Sequence, residues 1–82
     1  MSEEEKVLNQ LIGEIEHKLK DKHGQIESCS CIIHINITTS NVRQNIQACQ
    51  YMTMYIDEYI SLCKEYLSLQ KQLINLKENE KH

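Results

Sequence analysis

Four cysteines and four histidines are the side chains most capable of chemistry in this chain. The densest group is Cys29-Ser30-Cys31 with His34 three residues on. Soft thiolates beside an imidazole suit zinc, which takes four such ligands in a tetrahedron. Zinc sites usually space a thiolate pair by two to four residues and answer it with a second pair of similar spacing. Here Cys49 and Cys63 are fourteen residues apart, or roughly 21 Å along one helix. One ion cannot collect all four thiols. The weaker alternative is a site of Cys29, Cys31, His34 and Cys49 at a distorted hairpin tip, giving a small metal-binding or redox-sensitive module. The leading expectation is no metal and no cofactor, with the thiols packed as small apolar side chains.

The remaining polar residues suggest no reaction. No nucleophile–base pair, Gly-rich phosphate loop or convergent acidic pair is present. Asp57 and Glu58 are adjacent, and Glu14 and Glu16 are two apart. A helix turns the members of each such pair away from one another. His17 and His23 lie in charged surroundings, and His34 is the one histidine in an apolar stretch. The expectation is a protein that is not an enzyme and has no catalytic residue or small-molecule substrate.

The elements that carry these residues read as helices. The chain has 82 residues, no Pro and two Gly, which leaves few turns for a sandwich or barrel. Ser2 with Glu5 three residues on makes a capping box, and Glu3 and Glu4 suit the positive end of a helix dipole. Leu8, Ile12, Ile15, Leu19, Ile26, Cys29 and Ile33 follow at steps of four and three, with Lys22 in the one non-apolar place. That spacing is a heptad. Gly24 after His23 is the expected kink or break, since Gly costs a helix about 1 kcal/mol relative to Ala.

Thr38-Thr39-Ser40-Asn41 is the clearest loop signal, and Ser40 or Asn41 can cap a new helix. Beyond it Val42, Ile46, Cys49, Thr53, Ile56, Ile60, Cys63, Leu67, Gln70 and Ile74 repeat at four and three. This second helix is expected to fray near Glu78. If the chain folds back at 38–41, facing residues should have numbers with a constant sum. Ile37 with Val42, Ile33 with Ile46, Cys29 with Cys49, Ile26 with Thr53, Leu19 with Ile60, Ile15 with Cys63 and Ile12 with Leu67 all add to 78 or 79. The sequence thus predicts an all-α fold: one long antiparallel helical hairpin, arms about 3–37 and 41–78, assembling into a helical bundle. The whole of 1–82 is read as one domain, each arm roughly 54 Å long. Cys29 and Cys49 share a layer in this scheme and could be bridged, whereas Cys63 faces Ile15 and has no thiol opposite.

A strand competes locally. Cys29, Cys31, Ile33, Ile35 and Ile37 alternate with more polar neighbours in a β-branched stretch. A lone strand would need a second chain, giving a homodimeric assembly protein paired through residues 29–38.

Apolar surface exceeds what one seam requires. Tyr55, Leu62, Leu69 and Leu76 recur every seven residues beside the second-helix seam, with Tyr51 and Met54 near them, and Ile32 and Ile35 lie off the first. From Ser28 to Ile56 the only formally charged residue is Arg43. Interfaces are depleted in Lys and Glu and enriched in aromatics and Met. These eight residues are therefore the expected partner interface, with Leu8, Ile12, Ile15, Leu19, Ile26, Cys29, Ile33, Val42, Ile46, Cys49, Ile56, Ile60, Cys63 and Leu67 as the hairpin seam.

Charge bounds the partners. Nine Lys and Arg against twelve Asp and Glu give a net charge of −3, without the basic stripe that nucleic acid demands. No apolar run approaches the roughly 18 residues of a membrane span. The acidic start and the Lys81-His82 end carry no secretory, prenylation or retrieval signal. The expectation is a scaffold or adaptor subunit of a coiled-coil complex. It docks protein helices of its own or another chain, in a reducing intracellular setting, cytoplasmic first and compatible with the nucleus.

Overall fold

In the computed structural model, residues 2–80 are described, and they form an all-α hairpin of two helices, α1 (Glu3–Thr38) and α2 (Val42–Glu80). The expectation drawn from the Lys81-His82 end falls outside these residues. The backbone of the rod spans 63 × 14 × 13 Å between Cα atoms.

Local chemistry sets both ends of α1. The Glu5 N–H donates to Ser2 Oγ at 3.2 Å, and Glu3, Glu4 and Glu5 occupy the first turn. Only half of the expected capping box is made this way. The Glu5 side chain instead turns toward α2, where its Oε1 lies 4.0 Å from Lys77 Nζ. At the other end the Asn41 N–H donates to the Asn36 carbonyl at 2.9 Å and the Ser40 N–H to the Ile37 carbonyl at 3.3 Å. This pair of bonds is a Schellman cap, which needs a left-handed residue between them. Ser40 fills that place at φ 59°. Asn41 then starts α2 without delay: its Oδ1 accepts from the Gln44 N–H at 3.3 Å, and its carbonyl from the Asn45 N–H at 3.1 Å. Three residues thus make the whole connection, where the Thr38–Asn41 signal put it.

One expectation about α1 is corrected, and one competing reading is overturned. Gly24 does not break α1; the helix is continuous from Glu3 to Thr38. Residues 28–37 are helical, so the strand and the homodimer paired through 29–38 are overturned. Cys29, Ile33 and Asn36 stand at helical spacing and are buried or half-buried against α2, a burial that a lone strand could not match. The hydroxyls at the two ends of this segment are also satisfied inside the helix: Ser28 Oγ donates to the Gly24 carbonyl at 3.0 Å and Thr38 Oγ1 to the His34 carbonyl at 2.9 Å. Tertiary burial outweighs a propensity scale that spans about 1 kcal/mol. At the far end α2 continues past Glu78 to Glu80.

The seam of α1 is the expected one. Leu8, Ile12, Ile15, Leu19, Ile26, Cys29 and Ile33 are all buried or half-buried, and Lys22 is half-buried in line with them. Glu5 and Asn36 extend the same series at its two ends, both buried.

The seam of α2 is not the expected one. Asn41, Asn45, Ala48, Met52, Tyr55, Tyr59, Leu62, Tyr66, Leu69, Leu73 and Leu76 are buried or half-buried and step by four and three. The expected seam lies one residue further on at every turn and faces out: Val42, Ile46, Cys49, Ile56, Ile60 and Leu67 are exposed, and Cys63 is half-buried. Facing numbers add to 77 or 78 instead of 78 or 79, a rotation of α2 by about 100°. The connection is only three residues long, with Asn41 serving both helices, which leaves α2 little freedom to turn. Periodicity could not decide this, because both stripes have the same period.

Candidate partner interface

The rotation exchanges the roles given to α2 by sequence. Tyr55, Leu62, Leu69 and Leu76, expected to meet a partner, are half-buried against α1. Tyr51, Met54, Ile32 and Ile35 remain exposed as expected. The outward face is now Val42, Ile46, Cys49, Thr53, Ile56, Ile60, Cys63, Leu67, Gln70 and Ile74. Eight of these ten are exposed and Cys63 and Gln70 half-buried. Val42 and Leu67 show 67% and 63% of their surfaces. Single exposed apolar residues are ordinary, but a contiguous series marks an interaction site.

Handedness places this stripe. In an antiparallel pair of right-handed helices, the residue after each seam position falls on the same face for both. The stripe therefore shares its face with Lys6, Asn9, Gly13, Glu16, Lys20, His23 and Glu27 of α1, all exposed. One long wall is apolar and the other polar. At the hairpin tip the face becomes a groove lined by Asn36, Ile37, Val42, Asn45, Ile46 and Cys49.

The tip contains a polar layer. Asn36 is 5% exposed, and its Nδ2 has no hydrogen-bond partner; Asn45 Oδ1, on the other helix, is likewise buried without one. A donor and an acceptor thus line the same groove. Unmet buried amide groups cost about 1–3 kcal/mol each.

The opposite face has a smaller apolar area at the same end. Ile32, Tyr51 and Tyr55 line a groove with Gln25, Ser28, Cys29 and Ala48. The Tyr51 and Tyr55 rings stack with centroids 6.5 Å apart and planes 22° apart.

Halfway along the seam, Lys22 occupies the place of a core residue. Its Nζ lies 5.3 Å from the Tyr55 ring centroid and pairs with the Glu58 carboxylate. The sequence marked Lys22 as the one non-apolar seam position but did not reveal that Tyr55 and Glu58 would meet it. Those partners follow from the rotation of α2.

The alternative metal site is not assembled. Cys29 is buried in the seam, whereas Cys31, His34 and Cys49 are exposed. Cys31 stands two residues past a seam position, on the outside of α1, while His34 and Cys49 each stand one past and share the face of the stripe. Among the described residues no three His, Cys, Asp or Glu side chains are grouped to hold a metal ion. The expected Cys29–Cys49 layer is also corrected: Cys29 faces α2, Cys49 points outward, and all four thiols are free. Among the described residues, no helix is long and apolar enough to cross a membrane.

No protein-family model matches this chain, and neither a curated protein nor a solved structure does.

Proposed function

We propose that this chain is a non-enzymatic scaffold or adaptor subunit that works by docking a protein helix along the outward stripe of α2. One observation carries the reading: the stripe keeps heptad spacing over ten positions from Val42 to Ile74, and eight of those side chains are exposed. A surface helix with a single neighbour needs one apolar stripe. α2 has two, and α1 covers only one of them. The charge-poor tip supports the same reading, because solvated helices carry Lys and Glu there. Four free thiols support a reducing intracellular location.

The test is a photo-reactive amino acid introduced at Leu67, with a control at Gln10, in cells expressing the full chain. Leu67 lies on the stripe and Gln10 on the polar outside of α1. A discrete adduct from Leu67 and none from Gln10 is expected. If Leu67 yields no discrete adduct, or Gln10 yields the same one, the reading is overturned.

A further inference from the structure

We infer that the occupant of the α2 stripe is a second copy of this chain, lying antiparallel in one particular register. This rests on the docking reading and names its partner.

Heptad stripes can pair antiparallel only in registers that differ by whole heptads. The polar residues of the stripe, Thr53 and Gln70, choose among them. In one register Ile60 meets Cys63 of the second copy, Ile56 meets Leu67, Thr53 meets Gln70 and Cys49 meets Ile74. Symmetry doubles these to eight layers. The two polar residues then share layers, and every other layer is apolar or thiol. Sliding by one heptad toward the tip also covers Val42 and Ile46, but it sets Gln70 against Ile46. Sliding the other way sets Gln70 against Ile60. Two heptads toward the tip, Thr53 meets Ile56. Each alternative leaves a polar side chain against an aliphatic one.

Hydrogen-bond chemistry fits the Thr53–Gln70 layer. Thr53 Oγ1 already donates to the Cys49 carbonyl at 2.9 Å, which leaves its lone pairs free to accept. Gln70 Nε2 donates one hydrogen to Tyr66 Oη at 2.9 Å and retains the other. One partner thus offers an acceptor and the other a donor.

Charge on the neighbouring wall agrees. The two-fold axis that relates the α2 helices also stacks the two α1 helices, polar wall to polar wall. In the preferred register Lys6 of each copy lies level with Glu27 of the other. Both are exposed, and among the described residues their ion pairs are long and intrahelical, Lys6 to Glu3 at 3.7 Å and Glu27 to His23 at 3.9 Å. Glu16 meets its own mate at the axis, with Lys20 of each copy one turn away. Sliding one heptad toward the tip sets Lys20 against its mate, and sliding the other way sets Lys6 against Lys20. Parallel symmetric pairing would set every charge, and Thr53 and Gln70, level with its own copy. Opposite charges across a helix pair set its orientation.

Sedimentation of the full chain in reducing buffer tests this, with circular dichroism to verify helix content in each variant. The wild-type chain should be a dimer. Leu67→Lys should weaken the dimer at least about a hundredfold, since it places a charge in two layers. A monomeric wild-type chain, folded or not, overturns the proposal, and so does a dimer indifferent to Leu67→Lys. Mild oxidation then reads the register, in a chain with Cys31→Ser and Cys49→Val. Ile60→Cys should cross-link to Cys63 of the second copy at least about tenfold faster than Thr53→Cys or Leu67→Cys, whose positions meet Cys63 one heptad to either side. Faster linking by either control overturns the register. The photo-adduct from Leu67 separates the two readings. An adduct whose mass is not twice that of the chain removes the second copy but preserves helix docking, whereas no adduct removes both.

Discussion

Lys22 Nζ sits 5.3 Å from the centroid of the Tyr55 ring, inside a seam position that every neighbouring turn fills with an apolar side chain. Glu58 takes up the ammonium charge from the other side. The lysine stem packs while its head reaches the edge of the seam, as amphipathic side chains do. The pair is partly exposed, so its worth is modest. A double-mutant cycle with Lys22→Ala and Glu58→Ala should give a coupling of about 0.5–1 kcal/mol that shrinks in high salt. Urea unfolding at two salt concentrations measures it. A coupling that salt leaves unchanged would remove the electrostatic account.

Ser40 holds a left-handed conformation that glycine adopts without cost. Ser40→Gly should raise hairpin stability by about 0.5–1 kcal/mol, and Ser40→Val should lower it by more, since a β-branched side chain resists positive φ. Thermal melting of the two variants in parallel checks the sign of each.

The two glycines of α1 point into open space, where an added methyl group meets nothing within 4 Å. Their φ values are not positive. In a hairpin kept monomeric by Leu67→Lys, Gly13→Ala and Gly24→Ala should therefore each stabilise by about 0.5–1 kcal/mol through helix propensity alone. Because the sites are eleven residues apart, the gains should add in the double variant. A loss at Gly13 would show that something packs on its face, which is also the face of the α2 stripe.

Asn36 and Asn45 should behave differently from the rest of the seam. Replacing both by Leu removes two unmet amide groups and should stabilise the hairpin by about 1–3 kcal/mol at each position. It should also loosen the choice of seam, since a buried polar layer can specify register. Urea unfolding reports the first effect. Cysteine pairs introduced across the alternative seams report the second, by the spread of disulfides formed.

Asn41 joins two caps in one residue. Asn41→Ala removes the acceptor for the Gln44 N–H and should cost about 1 kcal/mol. If the turn fixes the phase of α2, inserting one Gly after Ser40 should also redistribute burial toward Val42, Ile46 and Cys49. Thiol labelling of Cys49 would then slow; unchanged labelling would show that packing, not the turn, sets the phase.

By itself the sequence determined two helices, their connection and the seam of α1, because each rests on local chemistry or on a single apolar stripe. Ser2 caps α1, Asn41 caps α2, and Leu8 through Ile33 offered α1 a core face interrupted only at Lys22. It also determined that α2 has two heptad stripes one residue apart, but not which of them faces inward. Val42, Ile46 and Ile56 match the period as well as Met52, Leu62 and Leu69 do. Only tertiary structure decided between them, by the rotation at which α2 packs on α1. That rotation brought Tyr55 and Glu58 to Lys22, buried Asn45 near Asn36, and left the more β-branched stripe to face outward. Such a choice is invisible to periodicity, because periodicity records the spacing of side chains along a helix and not the angle at which the helix enters the fold.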